Sequence, residues 1–252
     1  MRKQILVAAF WLVGIAFANA ATDLAKRAND ASPTFDWSGT YIGAHIGYGW
    51  GHSNFFDDQY NGRPPFFPPV SWGAASDGVI AGIQAGYNWQ RGNTVFGVEG
   101  EIGLLGLTGA KLQPGTDPFG IPYDASGTID DGWYGGLSIR LGYAFNRTLL
   151  YAKGGFVYSG AKLGFLDTCT TAPCGDGTIN ASQRVGFGYQ LGGGVEYALT
   201  DNWTVKVEYL YLDFGSTTIT GTGVLGSADG IVYSIDSDLS AHTVKVGVNY
   251  KF

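Results

Sequence analysis

Apolar and polar residues alternate with a period of two along much of this chain. In the last eleven residues, HTVKVGVNYKF, one face carries Val244, Val246, Val248, Tyr250 and Phe252, and the other carries polar or small residues. Successive side chains of a β-strand point to opposite faces, so this alternation predicts a strand with one apolar face. Such a strand packs either on a soluble core or against lipid.

Three segments repeat a plan of strand, tight turn and strand. Their turns, at 90–93, 146–147 and 200–202, contain Gly, Asn or Asp, which suit the positive φ angles of tight hairpins. Longer segments rich in Pro, Gly, Ser or Thr separate these hairpins and predict loops at 51–76, 108–130, 164–182 and 215–239. The remaining alternating segments predict eight strands, at 38–50, 77–90, 94–107, 131–145, 149–163, 184–199, 203–214 and 240–252.

Three short turns at one end and four long loops at the other are typical of a transmembrane β-barrel. The sequence therefore predicts an all-β fold, an eight-stranded antiparallel transmembrane β-barrel with short periplasmic turns and four long extracellular loops. A soluble eight-stranded barrel also alternates, so the contents of the two faces must decide between them.

One face of the predicted strands carries large apolar side chains and no charge, for example Ile46, Leu104, Leu137, Ile139 and Leu191. The interior of an eight-stranded barrel has room for only a modest filling. The bulky apolar face must therefore point outward, into lipid. Aromatic residues near both ends of the strands match the two interfaces of a bilayer.

The opposite face carries glycine, polar residues and charges, and it must point into the bore. Besides Lys251 near the end of the chain, this face carries eight charges that are the candidates for an interior network: Glu99, Glu101, Arg140, Lys153, Glu196, Lys206, Glu208 and Lys245. Four acids and four bases predict a lumen network of salt bridges, because buried charge has to be paired. Acid–base catalysis by Glu99 and Glu101 is the alternative, which their basic surroundings disfavour.

The first residues differ from the rest of the chain. Arg2 and Lys3 precede an apolar run at 5–17, and small residues stand at Ala18 and Ala20. This pattern predicts a cleaved signal peptide at 1–20. It leaves a periplasmic N-terminal segment at 21–36 and the outer-membrane β-barrel at 37–252.

The two cysteines, Cys169 and Cys174, lie close together in a predicted loop. In an oxidising compartment such a pair predicts a disulfide that closes a small loop. The alternative is half of a zinc site, but the sequence offers no second Cys or His pair to complete it. The three histidines are scattered without ligand spacing, so we predict no metal and no cofactor.

Composition narrows the function. Charged residues make up 14% of the chain, against about 25% in a soluble domain. The formal charge of −6 disfavours a nucleic-acid partner, since phosphate binding needs a basic surface. No nucleophile–His–acid arrangement is visible, so we predict that the protein is not an enzyme.

The segments DWSGTYIGAHIGYGWG, YAKGGFVY, NWTVKVEYLYLDFG and HTVKVGVNYKF resemble the small outer-membrane β-barrel proteins of alphaproteobacteria. Members are called outer membrane immunogenic or porin-family proteins and are similar to opacity-type barrels. The resemblance implies outer-membrane location and a role for Phe252 as the signal read by the outer-membrane assembly machinery. Family members are described as structural, antigenic, porin-like or haem-binding.

We therefore expect a mainly structural role in the envelope with at most a narrow pore. The alternatives are a small-solute porin and a surface protein that binds haem or a host ligand through its loops. The expected partners are outer-membrane lipid, lipopolysaccharide, the assembly machinery and an extracellular ligand. The first loop offers aromatic residues that either cap the barrel mouth or capture such a ligand: Phe55, Phe56, Phe66, Phe67 and Trp72.

Overall fold

The computed structural model describes residues 35–57, 69–116, 120, 124–168, 178–223, 230 and 232–252. Within these residues the chain forms ten β-strands: β1 (Gly39–Asp57), β2 (Val70–Arg91), β3 (Thr94–Leu105), β4 (Gly109–Leu112), β5 (Ser126–Asp130), β6 (Gly132–Phe145), β7 (Thr148–Thr168), β8 (Thr178–Ala198), β9 (Trp203–Thr222) and β10 (Val232–Lys251). No helix in the described ranges is long and apolar enough to cross a membrane.

Eight of these strands close into a barrel. The order around the ring is β7-β6-β3-β2-β1-β10-β9-β8, and β8 pairs with β7 to complete it. Every pairing is antiparallel, including that of the first strand with the last, in which Ile42 lies opposite Tyr250. Closure pairs the backbone groups of each strand with its neighbours, as a lipid environment requires. The predicted eight-stranded barrel is confirmed.

Three tight turns join strands at one end, which we call the short-turn end. Gly92 and Asn146 adopt positive φ angles there, 59° and 52°, as the turn sequences predict. The opposite end, which we call the long-loop end, holds the four longer connections. The pair β4 and β5 continues the β3–β6 hairpin beyond the ring: Leu105 lies opposite Gly132, and Gly109 lies opposite Ile129.

The strands extend further at the long-loop end than the sequence predicts. Parts of all four predicted loops are strand: β1 runs to Asp57, β7 to Thr168 and β9 to Thr222, and β4 and β5 lie within 108–130. The loop boundaries were therefore wrong. Ser, Thr and Gly in these segments predict loops, yet some of them alternate with inward apolar residues as in a strand; on β9, Thr218 and Thr220 are exposed on either side of the buried Ile219.

The outside of the barrel carries the apolar residues that the alternation assigns to it. Ile46, Leu104, Leu137, Ile139 and Leu191 are all exposed. Aromatic rings contact one another near both ends of this belt, for example Trp89 with Phe96 and Trp133 with Tyr158. An apolar belt between two aromatic girdles is the surface of a membrane-spanning barrel.

Candidate functional site

The interior of the barrel holds the eight charged residues that the sequence assigns to the bore. They come from β3, β6, β7, β8, β9 and β10, and their side chains are between 0 and 3% exposed. The alternation of each strand turns these side chains inward, and closure of the ring brings six strands around one small volume. All eight lie together in one network.

Lys153 occupies the centre of this network. Its Nζ lies 2.6 Å from Glu99 Oε1, 3.1 Å from Glu101 Oε1 and 3.3 Å from Glu208 Oε1. Three carboxylates around one ammonium group would leave excess negative charge without further bases. The two other lysines of the bore supply the missing positive charge.

Lys206 and Lys245 each bridge two of the same glutamates. Lys206 Nζ lies 3.1 Å from Glu99 Oε2 and 3.7 Å from Glu208 Oε2. Lys245 Nζ lies 2.6 Å from Glu101 Oε2 and 3.2 Å from Glu208 Oε1. Each of the three glutamates therefore contacts at least two bases, which compensates the cost of burying its charge.

Arg140 extends the network toward the short-turn end. Its Nη1 lies 2.9 Å from Glu196 Oε2, and its Nε donates to Asn88 Oδ1 at 2.9 Å. The guanidinium lies between two aromatic rings, 4.9 Å from the centroid of Tyr41 and 5.0 Å from that of Tyr151. These contacts fix the group in a position where its planar shape can stack and donate at the same time.

Three tyrosines belong to the network and were missed by the sequence reasoning, which considered tyrosine only in the aromatic girdles. Their hydroxyl groups donate to glutamates: Tyr41 to Glu99 at 2.8 Å, Tyr151 to Glu208 at 2.9 Å, and Tyr134 to Glu101 at 3.4 Å. The parity of the alternation was the available signal, because Tyr41 precedes the outward Ile42 and Tyr151 precedes the outward Ala152.

A chain of polar groups lines another wall of the bore. His45 Nδ1 hydrogen-bonds with Gln84 Oε1 at 2.6 Å, and its Nε2 hydrogen-bonds with the Tyr134 hydroxyl at 2.7 Å. Gln84 Nε2 then donates to Asn249 Oδ1 at 2.7 Å. In the part of the chain that the structure describes, no group of three or more His, Cys, Asp or Glu side chains is arranged to hold a metal ion.

Apolar residues close the bore at the short-turn end. Trp37 is 2% exposed and clusters with inward side chains of β3, β6, β7 and β8. The ring of Phe35 packs edge-on against that of Trp37, with centroids 4.7 Å apart. The Phe35 backbone N–H donates to Asn146 O, and the Trp37 backbone N–H donates to Gln90 Oε1. We call this cluster the turn-end core: Phe35, Trp37, Val95, Ala144, Leu149, Tyr151 and Ala198.

Asp36, the residue between Phe35 and Trp37 in the sequence, is exposed at the short-turn end of the barrel. Its Oδ1 accepts a hydrogen bond from the Ser38 backbone N–H at 2.9 Å, and this bond lowers the pKa of Asp36 below its ordinary value. Lys251 Nζ donates to the backbone carbonyl of Asp36 and lies 4.7 Å from the centroid of the Phe35 ring. Residues 35–37, which the sequence divides between the N-terminal segment and the barrel, are therefore held across the mouth.

A larger apolar cluster fills the barrel at the long-loop end. We call it the loop-end core: Phe55, Trp72, Ala74, Ile80, Leu105, Leu107, Ala125, Ile129, Tyr134, Val157, Ala161, Leu163, Phe165, Ile179, Ala181, Val185, Leu210, Leu212, Phe214, Ile219, Ile235, Leu239 and Ala241. Phe55 and Trp72 stack within it at 5.4 Å. Where this core meets the charged network, a cavity of about 10 Å³ lies beside Tyr134, Gln190 and Lys245, which is room for about one water molecule.

The first-loop aromatics divide between these environments. Phe55 and Trp72 are buried in the loop-end core, whereas Phe56 is exposed. Phe66 and Phe67 lie outside the described residues, as do Cys169, Cys174 and residues 1–20, so the disulfide and the signal peptide stay predictions.

The last residue, Phe252, is exposed at the short-turn end. Its backbone N–H donates to Thr40 O at 3.0 Å, and its ring packs edge-on against Tyr250 with centroids 5.2 Å apart. The β1–β10 seam therefore stays hydrogen-bonded through this residue. Its role as an assembly signal stays a prediction.

Comparison with known proteins finds a matching family model, related sequences and similar solved structures. A family model described as "Outer membrane protein beta-barrel domain" matches residues 8–252. The chain is 34% identical over 225 residues to the 31 kDa outer-membrane immunogenic protein of Brucella melitensis biotype 1, covering 87% of this chain and 85% of that protein. It is 28% identical to the 22 kDa outer membrane protein of Rhizobium leguminosarum bv. viciae, covering 87% and 80%. Among solved structures, the outer membrane protease OmpT from Escherichia coli is similar at 10% identity and a TM-score of 0.49, covering 88% and 99%.

Proposed function

The chain belongs to the outer membrane protein β-barrel family and lies in the outer membrane, and from this premise we propose that it is a structural barrel with a bore closed to solutes. The short turns then face the periplasm and the long loops face outward, as in other barrels of this membrane. The role is not enzymatic, in keeping with the names of the Brucella and Rhizobium relatives, which describe outer-membrane proteins and no reaction.

The observation that carries this proposal is closure of the bore at three levels. The turn-end core blocks the periplasmic mouth, and the loop-end core fills the outward half. Between them, the charged side chains are almost fully buried and contact one another. A water-filled pore would instead leave charges of the wall hydrated, as in porins.

Single-channel recording in planar bilayers tests the closed bore. We expect no steady current steps from the wild type, with a general porin recorded in parallel as the positive control. Arg140→Gln and Glu99→Gln are recorded as well, after each is shown to be folded by its heat-modifiable migration in gels. Lys111→Gln, an exposed change outside the bore, serves as the matched control. Steady wild-type steps that change in size in Arg140→Gln and Glu99→Gln, but not in Lys111→Gln, would overturn the proposal in favour of a small-solute porin.

The other predicted role, capture of an extracellular ligand, rests partly on loop residues outside the described ranges. The described first-loop aromatics favour a cap: Phe55 and Trp72 support the loop-end core and are not available at the surface. We therefore propose the structural role first and keep ligand capture as a sequence-based prediction.

A further inference from the structure

Two basic side chains lie directly opposite each other on the outer surface of the barrel. Lys162 on β7 and Arg184 on β8 are register partners, and both are exposed. Neighbouring inward residues, Ala161 and Val185, are buried in the loop-end core, so the two bases point outward. Opposed side chains on antiparallel strands have Cβ atoms about 4.5–5.5 Å apart, and like charges in that position destabilise the sheet.

The surroundings of this pair do not neutralise it. Neither base forms a salt bridge within the described residues. Asp130 on β5 is the register partner of Lys162 on its other side, and the next residue, Asp131, is also exposed. The row Asp130, Lys162 and Arg184 therefore keeps one net positive charge. At the long-loop end of the other strands, the charged residues within the described ranges are mainly aspartates, among them Asp77 and Asp213.

An aromatic column lies on the same outer surface below the two bases. The rings of Trp133 and Tyr158 have centroids 5.2 Å apart, and those of Tyr158 and Phe187 are 4.9 Å apart. Phe187 is 79% exposed, and Phe156, further toward the centre of the belt, is 74% exposed. Such exposure of large apolar rings places this column against lipid.

The height of the pair relative to the column fits a lipid headgroup. Arg184 precedes Phe187 by three residues along β8, about 10 Å at roughly 3.3 Å per residue. A lipid whose acyl chains contact Phe187 and Phe156 would therefore bring its headgroup to Lys162 and Arg184. An anion between the two bases would replace their repulsion with two charge-assisted hydrogen bonds, and the Arg fork matches a phosphate well.

We propose that Lys162 and Arg184 bind the phosphate of an anionic glycolipid in the outer leaflet, with the acyl chains packed on Phe187 and Phe156. Charge complementarity selects the phosphate, and the aromatic column selects a lipid over a free anion. The site lies on the outer surface of the barrel, so it does not depend on whether the bore conducts.

A binding titration in neutral detergent micelles tests this site. The refolded protein is titrated with diphosphoryl lipid A, and complexes are counted by native mass spectrometry. We expect Lys162→Gln/Arg184→Gln to bind at least tenfold more weakly than the wild type. Lys111→Gln should bind within twofold of the wild type, because its register partner on β5 is the uncharged Gly127. Asp130→Asn should bind more tightly, since it removes the acid that lies directly opposite Lys162.

The lipid and the free anion are separated by two further probes. Lipid A stripped of both phosphates should bind the wild type as weakly as diphosphoryl lipid A binds the double variant. Inorganic phosphate at the concentration of the lipid should not displace it. Equal affinity of wild type and double variant for diphosphoryl lipid A would overturn the site, as would equal affinity of the wild type for the stripped lipid, or displacement by inorganic phosphate.

Thermal stability gives a second readout: the difference in melting temperature between wild type and variant should change sign when glycolipid is added. Without glycolipid, Arg184→Gln should raise the melting temperature, because it removes the repulsion of Lys162 and leaves Lys162 opposite Asp130. With saturating diphosphoryl lipid A, the order should invert and the wild type should melt higher. A variant that simply folds poorly would melt lower in both conditions, and that result, or the same order in both conditions, would contradict a phosphate held between the two bases.

Discussion

The replacement of Lys153 by methionine is the most direct test of the buried charge network. Methionine keeps most of the volume of the side chain and removes its charge. The ammonium group of Lys153 contacts Glu99, Glu101 and Glu208 at 2.6, 3.1 and 3.3 Å, and its side chain is 0% exposed. Removing it leaves four carboxylates with three bases in a closed space. We expect the free energy of unfolding to fall.

The size of the loss follows from which partners remain. Glu99 keeps Lys206 at 3.1 Å, and Glu101 keeps Lys245 at 2.6 Å. Breaking a buried ion pair by removing one partner costs about 3–5 kcal/mol. Because no carboxylate loses its last base, we expect a loss of about 3 kcal/mol, at the lower end of that range.

The carboxylate left in excess is that of Glu208, which shares both remaining lysines with the other two glutamates. Adding Glu208→Gln to Lys153→Met restores one base for each acid in the bore. The amide oxygen of the new glutamine can still accept the hydrogen bond from the Tyr151 hydroxyl that Glu208 accepts at 2.9 Å. We therefore expect the double variant to be more stable than Lys153→Met alone, by roughly half of the loss or more.

Urea unfolding in lipid vesicles, followed by tryptophan fluorescence, measures these differences. Lys111→Met removes an exposed lysine outside the membrane and is the matched control, with an expected change within about 0.5 kcal/mol. A loss below about 1 kcal/mol for Lys153→Met would show that the network contributes little. A double variant less stable than Lys153→Met would refute the reasoning from charge balance.

Three further changes test other parts of the barrel in the same vesicle assay. Val246 is 52% exposed in the apolar belt. If it faces the bilayer midplane, Val246→Arg should lower the free energy of unfolding by about 2–4 kcal/mol; an unchanged free energy would place Val246 elsewhere. Trp37→Ala should cost about 3–5 kcal/mol by opening a cavity in the turn-end core, without current steps in bilayers, since the loop-end core still closes the bore; steps would contradict that closure. Gly127→Ala should cost about 1–3 kcal/mol, because an added Cβ would lie 2.6 Å from the Phe55 ring. Gly100→Ala is the control and should be neutral, because the atom nearest to its added Cβ is 3.9 Å away. Equal losses of stability in the two variants would refute this packing.

The faces of the strands could be predicted because charge and bulk separate cleanly within the membrane. On β9, Val205, Val207 and Tyr209 point outward, and Lys206 and Glu208 point inward. No other assignment of parity keeps charges out of lipid. The prediction that eight charges share the bore follows from such strands alone, without knowledge of any contact.

The contacts within the network could not be predicted, because they depend on the stagger of strands that are far apart in sequence. Lys153 meets Glu99 across a separation of 54 residues, and Lys245 meets Glu101 across 144. Alternation tells which face a residue occupies but not its height along the barrel axis. That height is set by the register of each neighbouring pair, summed around the ring.

The outward half of the bore could not be predicted for a different reason. After Glu208 the inward positions of β9 become apolar: Leu210, Leu212 and Phe214. The outward face carries an aromatic residue, Tyr211, in the same stretch. Where both faces are apolar, the period of two disappears from the sequence. Gly215, with φ at 66°, then interrupts the regular strand, so the predicted strand ended at 214 although β9 continues to Thr222.

Along β9 the apolar face changes from the outside of the barrel to the inside. Up to Glu208 the outside is apolar and the inside is charged, as lipid requires. From Asp213 onward the outside is polar and the inside is apolar, as water requires. Both faces exchange character within a few residues, so the apolar belt on this strand ends near Tyr211. The loop-end core therefore separates the charges from external water, while Trp37 covers them from the periplasmic side. Charges enclosed in this way are neutralised by one another rather than by water, which accounts for the equal numbers of acids and bases in the bore.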